Sequence, residues 1–191
     1  VAGVASGTPK VNAIAIGKLS TATGDYAIAM GGYNTEAAGD YSMAIGYNAS
    51  APTQSSTAIG LLAKAGDAPV GGTATLNATA IGSYSSATGT GSIAIGAAAG
   101  TLGKAEATGT YSIAMGQQVT ASADYSTAIG YTANAKTQDS IAIGDNAVAG
   151  TPEDQQAGIT AKLYATALGS YASATGAKSI AIGGAHNATY K

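Results

Sequence analysis

The pentapeptide Ser140-Ile141-Ala142-Ile143-Gly144 returns in recognisable form eleven times along the chain, and this recurrence narrows the available folds more than any other feature. The closing glycines are Gly17, Gly31, Gly46, Gly60, Gly82, Gly96, Gly116, Gly130, Gly144, Gly169 and Gly183. Their separations are 14, 15, 14, 22, 14, 20, 14, 14, 25 and 14 residues, so a period near 14 is lengthened three times. A fixed period of this kind marks an array whose units bury their apolar faces only against their neighbours.

Register within the unit sets the element type. The residue two before each glycine is Ala in all eleven copies, and the residue four before is Ala or Ser. One before stands Ile, Met or Leu; three before stands Ile or Met in seven copies and Thr in four, at Thr57, Thr79, Thr127 and Thr166. Alternation with period two is that of a β-strand with one small and one bulky face. Nine before the glycine stands Ala in eight copies (Ala22, Ala37, Ala51, Ala87, Ala107, Ala121, Ala135, Ala174) and Thr in the other three, between mostly polar neighbours. A second strand is expected there, small on one side and polar on the other, as when one face meets a core and the other water. The turn segments Gly24-Asp25-Tyr26, Gly39-Asp40-Tyr41 and Ala123-Asp124-Tyr125 lie between the strands, with Gly or Asp expected to take the special backbone angles. The coil is thus strand, turn, strand, turn.

The added length is expected at one place, the turn after the closing glycine, near residues 61–72, 97–104 and 145–157. That would put all three insertions on one edge of the solenoid, where loop length costs little. Pro52 falls in a second strand and removes one ladder donor, so that strand is expected to be short or irregular. The chain is read as a single repeat domain over residues 1–191 that enters its first coil at once and lacks polar capping units, a pattern expected of a segment of a longer fibre.

Facing Ala against Ala or Ser gives a thin roll whose bulky row points outward. That row is Ile16, Met30, Ile45, Ile59, Ile81, Ile95, Met115, Ile129, Ile143, Leu168 and Ile182, with its partners three before the glycine. At about 1.5–3 kcal/mol for each large aliphatic side chain buried, covering it is worth tens of kcal/mol. The other arrangement, Ile inside a wider roll and Ala outside, leaves the small residue of the second strand unexplained. Identical stripes cover one another through rotational symmetry about an axis parallel to the solenoid, with two or three copies both geometrically acceptable.

Composition excludes several classes. Among 191 residues there are 28 Gly, no Cys, Trp, Phe or Arg, and only 9% charged residues, against about 25% in an ordinary domain. The net charge of −2 comes from scattered single charges, so no basic stripe tracks a nucleic-acid backbone. His186 is the sole imidazole, and neither a histidine metal site nor a triad is expected; no cofactor or metal is expected either. Glu153-Asp154 reads as a solvated turn more readily than as a catalytic pair.

The closures Ser92-Ile93-Ala94-Ile95-Gly96, Ser112-Ile113-Ala114-Met115-Gly116 and Ser179-Ile180-Ala181-Ile182-Gly183 and the intervening Ala22-Thr23-Gly24, Ala87-Thr88-Gly89 and Ala174-Thr175-Gly176 resemble the YadA-like heads of trimeric autotransporter adhesins. The resemblance covers nearly the whole chain. It implies an all-β fold, a left-handed parallel β-roll solenoid of about 11 coils assembled as an intertwined homotrimer. It also implies a place on a fibre at the surface of a Gram-negative cell, anchored in the outer membrane by a region absent here, attaching to host matrix proteins or cell-surface receptors. The family's collagen-associated Asn-Ser-Val-Ala-Ile-Gly is only approximated, by Asn12-Ala13-Ile14-Ala15-Ile16-Gly17 and Asn77-Ala78-Thr79-Ala80-Ile81-Gly82, so collagen binding does not carry over.

A non-enzymatic adhesin head is therefore the expected function, with the aliphatic row as trimer core. Candidate ligand contacts are Lys64, Asp67, Tyr84, Lys104, Asp145, Glu153, Asp154 and Tyr171, charged or aromatic residues at or beside the insertions. Ten of the eleven Tyr fall at turns, where they either contact a partner or cap the ends of the thin core. Three other readings compete. A spacer segment would leave the ligand site elsewhere in the fibre; an ice-binding solenoid needs a regular Thr-x-Thr face; a left-handed β-helix acyltransferase needs an ~18-residue coil built from hexapeptides.

Overall fold

The computed structural model describes residues 11–67, 76–98, 103–150 and 164–184, together with the backbone pairing of Val4–Ala5 and Thr8–Pro9. These residues contain strands and turns and no helix. The closing strands, from Ile14–Ile16 to Ile180–Ile182, form one eleven-stranded sheet in chain order, and the second strands, from Thr21–Ala22 to Ser173–Ala174, form a ten-stranded sheet in the same order. Pairing within both is parallel. The array is a β-roll with two sheets back to back.

Register follows the sequence repeat without a slip. Ile129 lies beside Ile143, and Ile143 beside Leu168, although the second step crosses the longest insertion. The ladder bonds are short: Gly144 N–H donates to Ile129 O at 2.9 Å and Ile141 N–H to Ala165 O at 2.9 Å. Between the sheets lies an Ala core. Ala94, Ala114, Ala128 and Ala142 of one sheet and Ala87, Ala107, Ala121 and Ala135 of the other have no solvent exposure. The small face is therefore inside and the bulky face outside. A larger inward side chain would have to separate the two sheets, because interiors hold side chains at crystal-like density.

Four-residue turns join the strands on both edges: an N–H closes the turn from seven to four before the next glycine in most coils, as in Ser112 N–H to Gly109 O (3.2 Å), and closes the turn after Gly17, Gly60, Gly82 and Gly169, as in Ser85 N–H to Gly82 O (3.3 Å). The third residue of these turns has positive φ, and in the longer coil after Gly31 the positive φ falls one place later, on Asn34 (48°). Sequence reasoning gave this role to Gly or Asp; in the turns it cited it falls to Tyr26, Tyr41 and Tyr125, at φ of 57°, 60° and 57°. The aspartates do something else. Asp40 Oδ1 accepts the N–H of Asp25 at 2.8 Å, and Asp124 Oδ1 that of Thr110 at 2.8 Å, so each carboxylate ties its coil to the preceding one. Ser112 and Ser126, buried on the small face, donate their hydroxyls to Gly109 O (2.7 Å) and Ala123 O (2.6 Å), which satisfies them inside an otherwise apolar core.

The closing glycine is required by its neighbour. Gly144 has φ +136°, and a Cβ built on it would lie 2.4 Å from Gly169 O. No L side chain fits there.

Two expectations about chain path are corrected. Lys64–Ala65 pairs with Ser50 on one side and Ser86–Ala87 on the other, and Val148–Ala149 pairs with Asn134–Ala135 and Ser173–Ala174. The coils that follow Gly60 and Gly144 therefore complete their second strand on schedule, and their added length comes afterwards, at the turn leading to the next closing strand. Only the length between Gly96 and Glu106–Ala107 enters at the turn after the glycine. The insertions thus leave from both edges of the roll. Thr73 and Thr160, which backward counting placed in the second sheet, lie outside the described residues. Thr8, placed there likewise, instead pairs antiparallel with Ala5. Pro52 follows the strand Ser50–Ala51, which keeps the usual two residues; its pairing with the next coil is reduced to Ser50 with Lys64 alone.

Candidate functional site

Two outward surfaces carry chemistry. The first is the outer face of the closing-strand sheet, where the aliphatic row one before the glycine runs unbroken from coil to coil and the row three before it is interrupted by threonines. Ile16, Ile143 and Ile182 are 54%, 37% and 76% exposed, and Met30, Ile81 and Met115 are also exposed. Ile45, Ile59, Ile95, Ile129 and Leu168 are half-buried by their neighbours along the ladder. A soluble monomer rarely shows a continuous apolar patch beyond a few hundred Å². Eleven strands at ~4.8 Å make this one roughly 50 Å long.

The second surface is a groove of about 210 Å³ on the outer side of the second sheet, lined by Leu62, Lys64, Tyr84, Ser85, Ser86 and Lys104. Apart from the buried Ser85 beneath, its residues come from two neighbouring columns in three successive coils. Lys64, Ser86 and Glu106 are register partners, so the short Ser86 leaves a gap between two long side chains. Leu62, Tyr84 and Lys104 each stand two residues before one of these and make the parallel wall. Lys64 pairs with Asp67, and Lys104 Nζ lies 2.6 Å from Glu106 Oε1, so each ammonium has a carboxylate beside it. Both pairs are partly solvated and contribute little to stability.

The groove gathers three of the sequence-designated contacts, Lys64, Tyr84 and Lys104, with Asp67 at its margin. Asp145 and Tyr171 are neighbours of each other, Tyr171 N–H donating to Asp145 O at 2.7 Å, but they lie four and five coils beyond Tyr84, roughly 19–24 Å along the ladder. Glu153 and Asp154 lie outside the described residues, as does His186.

The tyrosines are not caps on the core. Tyr41, Tyr111, Tyr125 and Tyr131 are about half exposed or more, and they stack along the edges: Tyr26 on Tyr41 with centroids 5.3 Å apart, Tyr33 on Tyr47 at 5.6 Å, and Tyr111 on Tyr125 at 5.7 Å. A column position repeating at the strand spacing brings flat rings into offset contact. Composition alone did not reveal this. The signal that could have done so is the recurrence of Tyr five before the glycine in consecutive coils, at Tyr26 and Tyr41 and again at Tyr111 and Tyr125.

No curated protein matches the chain. A family profile does: the YadA head domain repeat matches residues 10–34, 37–63, 76–99, 103–118, 107–131, 121–147 and 162–185, well over half of the sequence. Members of that family are head domains of trimeric autotransporter adhesins, displayed at the cell surface. With the two parallel sheets and the repeat already in place, the chain belongs to the YadA head family.

Proposed function

We propose that this chain is the non-enzymatic head of a homotrimeric adhesin on a Gram-negative cell surface, attaching the cell to host extracellular matrix or to host cells. The reading includes a left-handed roll of about eleven coils, three of which intertwine so that the row from Ile16 to Ile182 lines a common axis. The observation that carries it is the exposed aliphatic ladder: it faces away from the protomer's own core along the whole array, in a chain of an adhesin-head family. Three-fold symmetry turns each protomer's stripe toward the other two. The second sheet then faces the medium, and each groove appears three times, so weak single contacts add through multivalency.

Two measurements test this. Native mass should be three times that of the 18.2 kDa chain. Binding to an array of matrix proteins and cells should be detectable, and should weaken by about tenfold or more on Tyr84→Ala with Lys104→Ala, each single contact being worth about 1 kcal/mol before multiplication by valency. Deleting residues 68–75, or eleven residues within 151–163, restores the 14-residue spacing and separates insertion contacts from groove contacts. Trimeric mass with no binding in any arm would assign the chain to the fibre's spacer rather than its attachment site.

A further inference from the structure

Nine tyrosines along the edges of the roll are between 40% and 60% exposed, and they fall into two groups. Six are stacked in pairs on neighbouring coils: Tyr26 with Tyr41, Tyr33 with Tyr47 and Tyr111 with Tyr125, their ring planes 6°, 18° and 17° apart. Tyr131, Tyr164 and Tyr171 stack on no other described tyrosine. Each pair is also pinned beside the rings. Tyr41 N–H donates to Asp25 O at 2.7 Å, and the Asp25 N–H goes to Asp40 Oδ1. Tyr125 N–H donates to Thr110 O at 2.8 Å, and the Thr110 N–H goes to Asp124 Oδ1. Beside Tyr33 and Tyr47, Asn48 N–H donates to Tyr33 O at 2.8 Å and Asn34 Nδ2 to Asn48 Oδ1 at 3.0 Å. The two turns that carry a pair are thus joined by one backbone and one side-chain bond, and cannot drift apart without breaking both.

We propose that the three stacked pairs are oxidative cross-linking sites, at which hydrogen peroxide and a haem peroxidase join the phenols of successive coils into a biphenol staple. The inference needs only the roll and is independent of the trimer. The chain has no Cys and no Trp, so tyrosine is the side chain that gives up one electron and one proton most readily. In the reaction each phenol of a pair loses its O–H hydrogen to the oxidant. The two phenoxyl radicals then couple through a Cε of each ring, and the hydrogen on each coupled carbon moves to oxygen to restore the aromatic ring. One C–C bond forms, two O–H hydrogens leave, and peroxide accepts them as its O–O bond breaks, giving two waters. A radical on an isolated surface tyrosine must wait for an encounter, whereas a stacked one has its partner ring held 5.3–5.7 Å away. Exposed side chains turn on a fast timescale, so the half-exposed rings can tilt from the stack into the coupling geometry. Partners are 14 or 15 residues apart, and each link therefore closes one coil upon the next, as a disulfide would in a chain that had cysteine.

The folded protein, in whatever assembly it forms, is treated with hydrogen peroxide and a haem peroxidase and then cut before aspartate, which parts the partners of every pair at Asp40 or Asp124. Joined peptides lighter by two hydrogen atoms should map to Tyr26–Tyr41, Tyr33–Tyr47 and Tyr111–Tyr125. These should exceed any link through the equally exposed Tyr131, Tyr164 or Tyr171 by at least about tenfold, because a held neighbour outcompetes a diffusional encounter. Tyr41→Phe and Tyr125→Phe keep a ring in the stack but lack the O–H; each should abolish its own link and leave that of Tyr33 and Tyr47. Linked chains should keep the single-chain mass under denaturing conditions, and protein oxidised in denaturant should lose the preference for these partners. Loop closure of this length is worth roughly a hundredfold in the folding equilibrium per link, so the denaturant midpoint of the linked protein should rise. The assignment is overturned if unpaired tyrosines link as often as paired ones, if the links join different chains, or if the folded protein forms no biphenol. The same preference in denaturant would trace the links to sequence proximity and overturn the role of the stack. Correctly placed links with an unmoved midpoint would overturn the staple.

Discussion

The closing-strand sheet and the second sheet share a backbone plan: parallel, in chain order, one strand per coil, Ala pointing inward at a fixed position. Outside they diverge. One presents Ile, Met and Leu beside Ile, Met or Thr; the other presents Thr21, Glu36, Ser50, Lys64, Ser86, Glu106, Thr120, Asn134, Val148 and Ser173. Because the inner faces match, folding of the single roll places no demand on the outer ones, and what the outer residues are must reflect what covers them. Water suits the second set. The first set requires apolar surface, which in the proposed trimer the chain's own copies supply.

The same substitution on the two outer faces should separate them most sharply. Ile143→Asp puts a carboxylate into the axial row of each protomer, at several kcal/mol for each uncompensated buried charge. Trimer mass should disappear and thermal unfolding should move down by tens of degrees. Ser173→Asp, on an exposed position of the second sheet, should change stability by no more than about 1 kcal/mol, the span of strand propensity, and leave the mass unaltered. Equal, mild effects would mean that the aliphatic face is covered by something other than a copy of this chain.

The inner plan has a different point of failure. Gly144→Ala sets a methyl group 2.4 Å from Gly169 O at a φ of +136°, so two coils must part or the turn must rebuild. A loss of about 3 kcal/mol or more per protomer is expected in chemical denaturation, the range for backbone strain compounded by a steric contact. The trimer should survive it at low temperature, because no outward residue is changed. Loss of assembly without loss of protomer stability would contradict the division between inner and outer roles.

How far these features could be read from the sequence depends on where the chain's constraints are local. The closing strands, their register and the direction of the Ala and Ile faces follow from a two-residue alternation held for eleven copies, and nothing in the fold disturbs it. Counting backward from the next glycine misplaces two of the insertions, because it sets Thr73 and Thr160 where Ala belongs. Forward counting finds Ala63-Lys64-Ala65 and Ala147-Val148-Ala149 in the same slots as Ala49-Ser50-Ala51 and Ala133-Asn134-Ala135. A second signal was present too: Gly66 and Gly150, which end those segments at φ +87° and +78°, sit over Thr53 and Thr137, leaving no room for a Cβ. The groove could not be read, because it depends on three coils being adjacent across an insertion and on a short Ser86 between long neighbours. Turn geometry was hidden for another reason: aromatic residues rarely accept positive φ, yet seven tyrosines here do, and for Tyr26, Tyr41, Tyr111 and Tyr125 a ring stack is on hand to offset that cost.

This offset can be measured. Tyr125→Ala removes the stack on Tyr111 but leaves a Cβ at positive φ, and should lose about 0.5–1.5 kcal/mol. Tyr125→Gly loses the same stack and relaxes the backbone, recovering about 1 kcal/mol of it. The two variants should therefore differ in midpoint, Gly being the more stable. If they coincide, positive φ costs nothing at this turn and the stack is not its compensation.

The smallest expected effect tests the second sheet at its weakest rung. In neighbouring coils the residue after the second-strand Ala donates to the following coil, as Ala38 N–H does to Ala51 O at 3.1 Å and Thr88 N–H to Ala107 O at 2.9 Å. Pro52 occupies that position and has no N–H to give, so Ala65 O goes without the corresponding bond. Pro52→Ala supplies the donor, worth about 0.5–1.5 kcal/mol net. It also frees the unfolded chain at that residue, which costs about 0.4–1 kcal/mol. The two nearly cancel, so the midpoint should move by less than about 1 kcal/mol, and the informative readout is hydrogen exchange. The amide introduced at position 52 should be protected to the same degree as those of Ala38 and Thr88. Fast exchange there, with the rest of the ladder protected, would mean that the rung between Ala51 and Ala65 is held open by the coil beyond it and not by the missing proton.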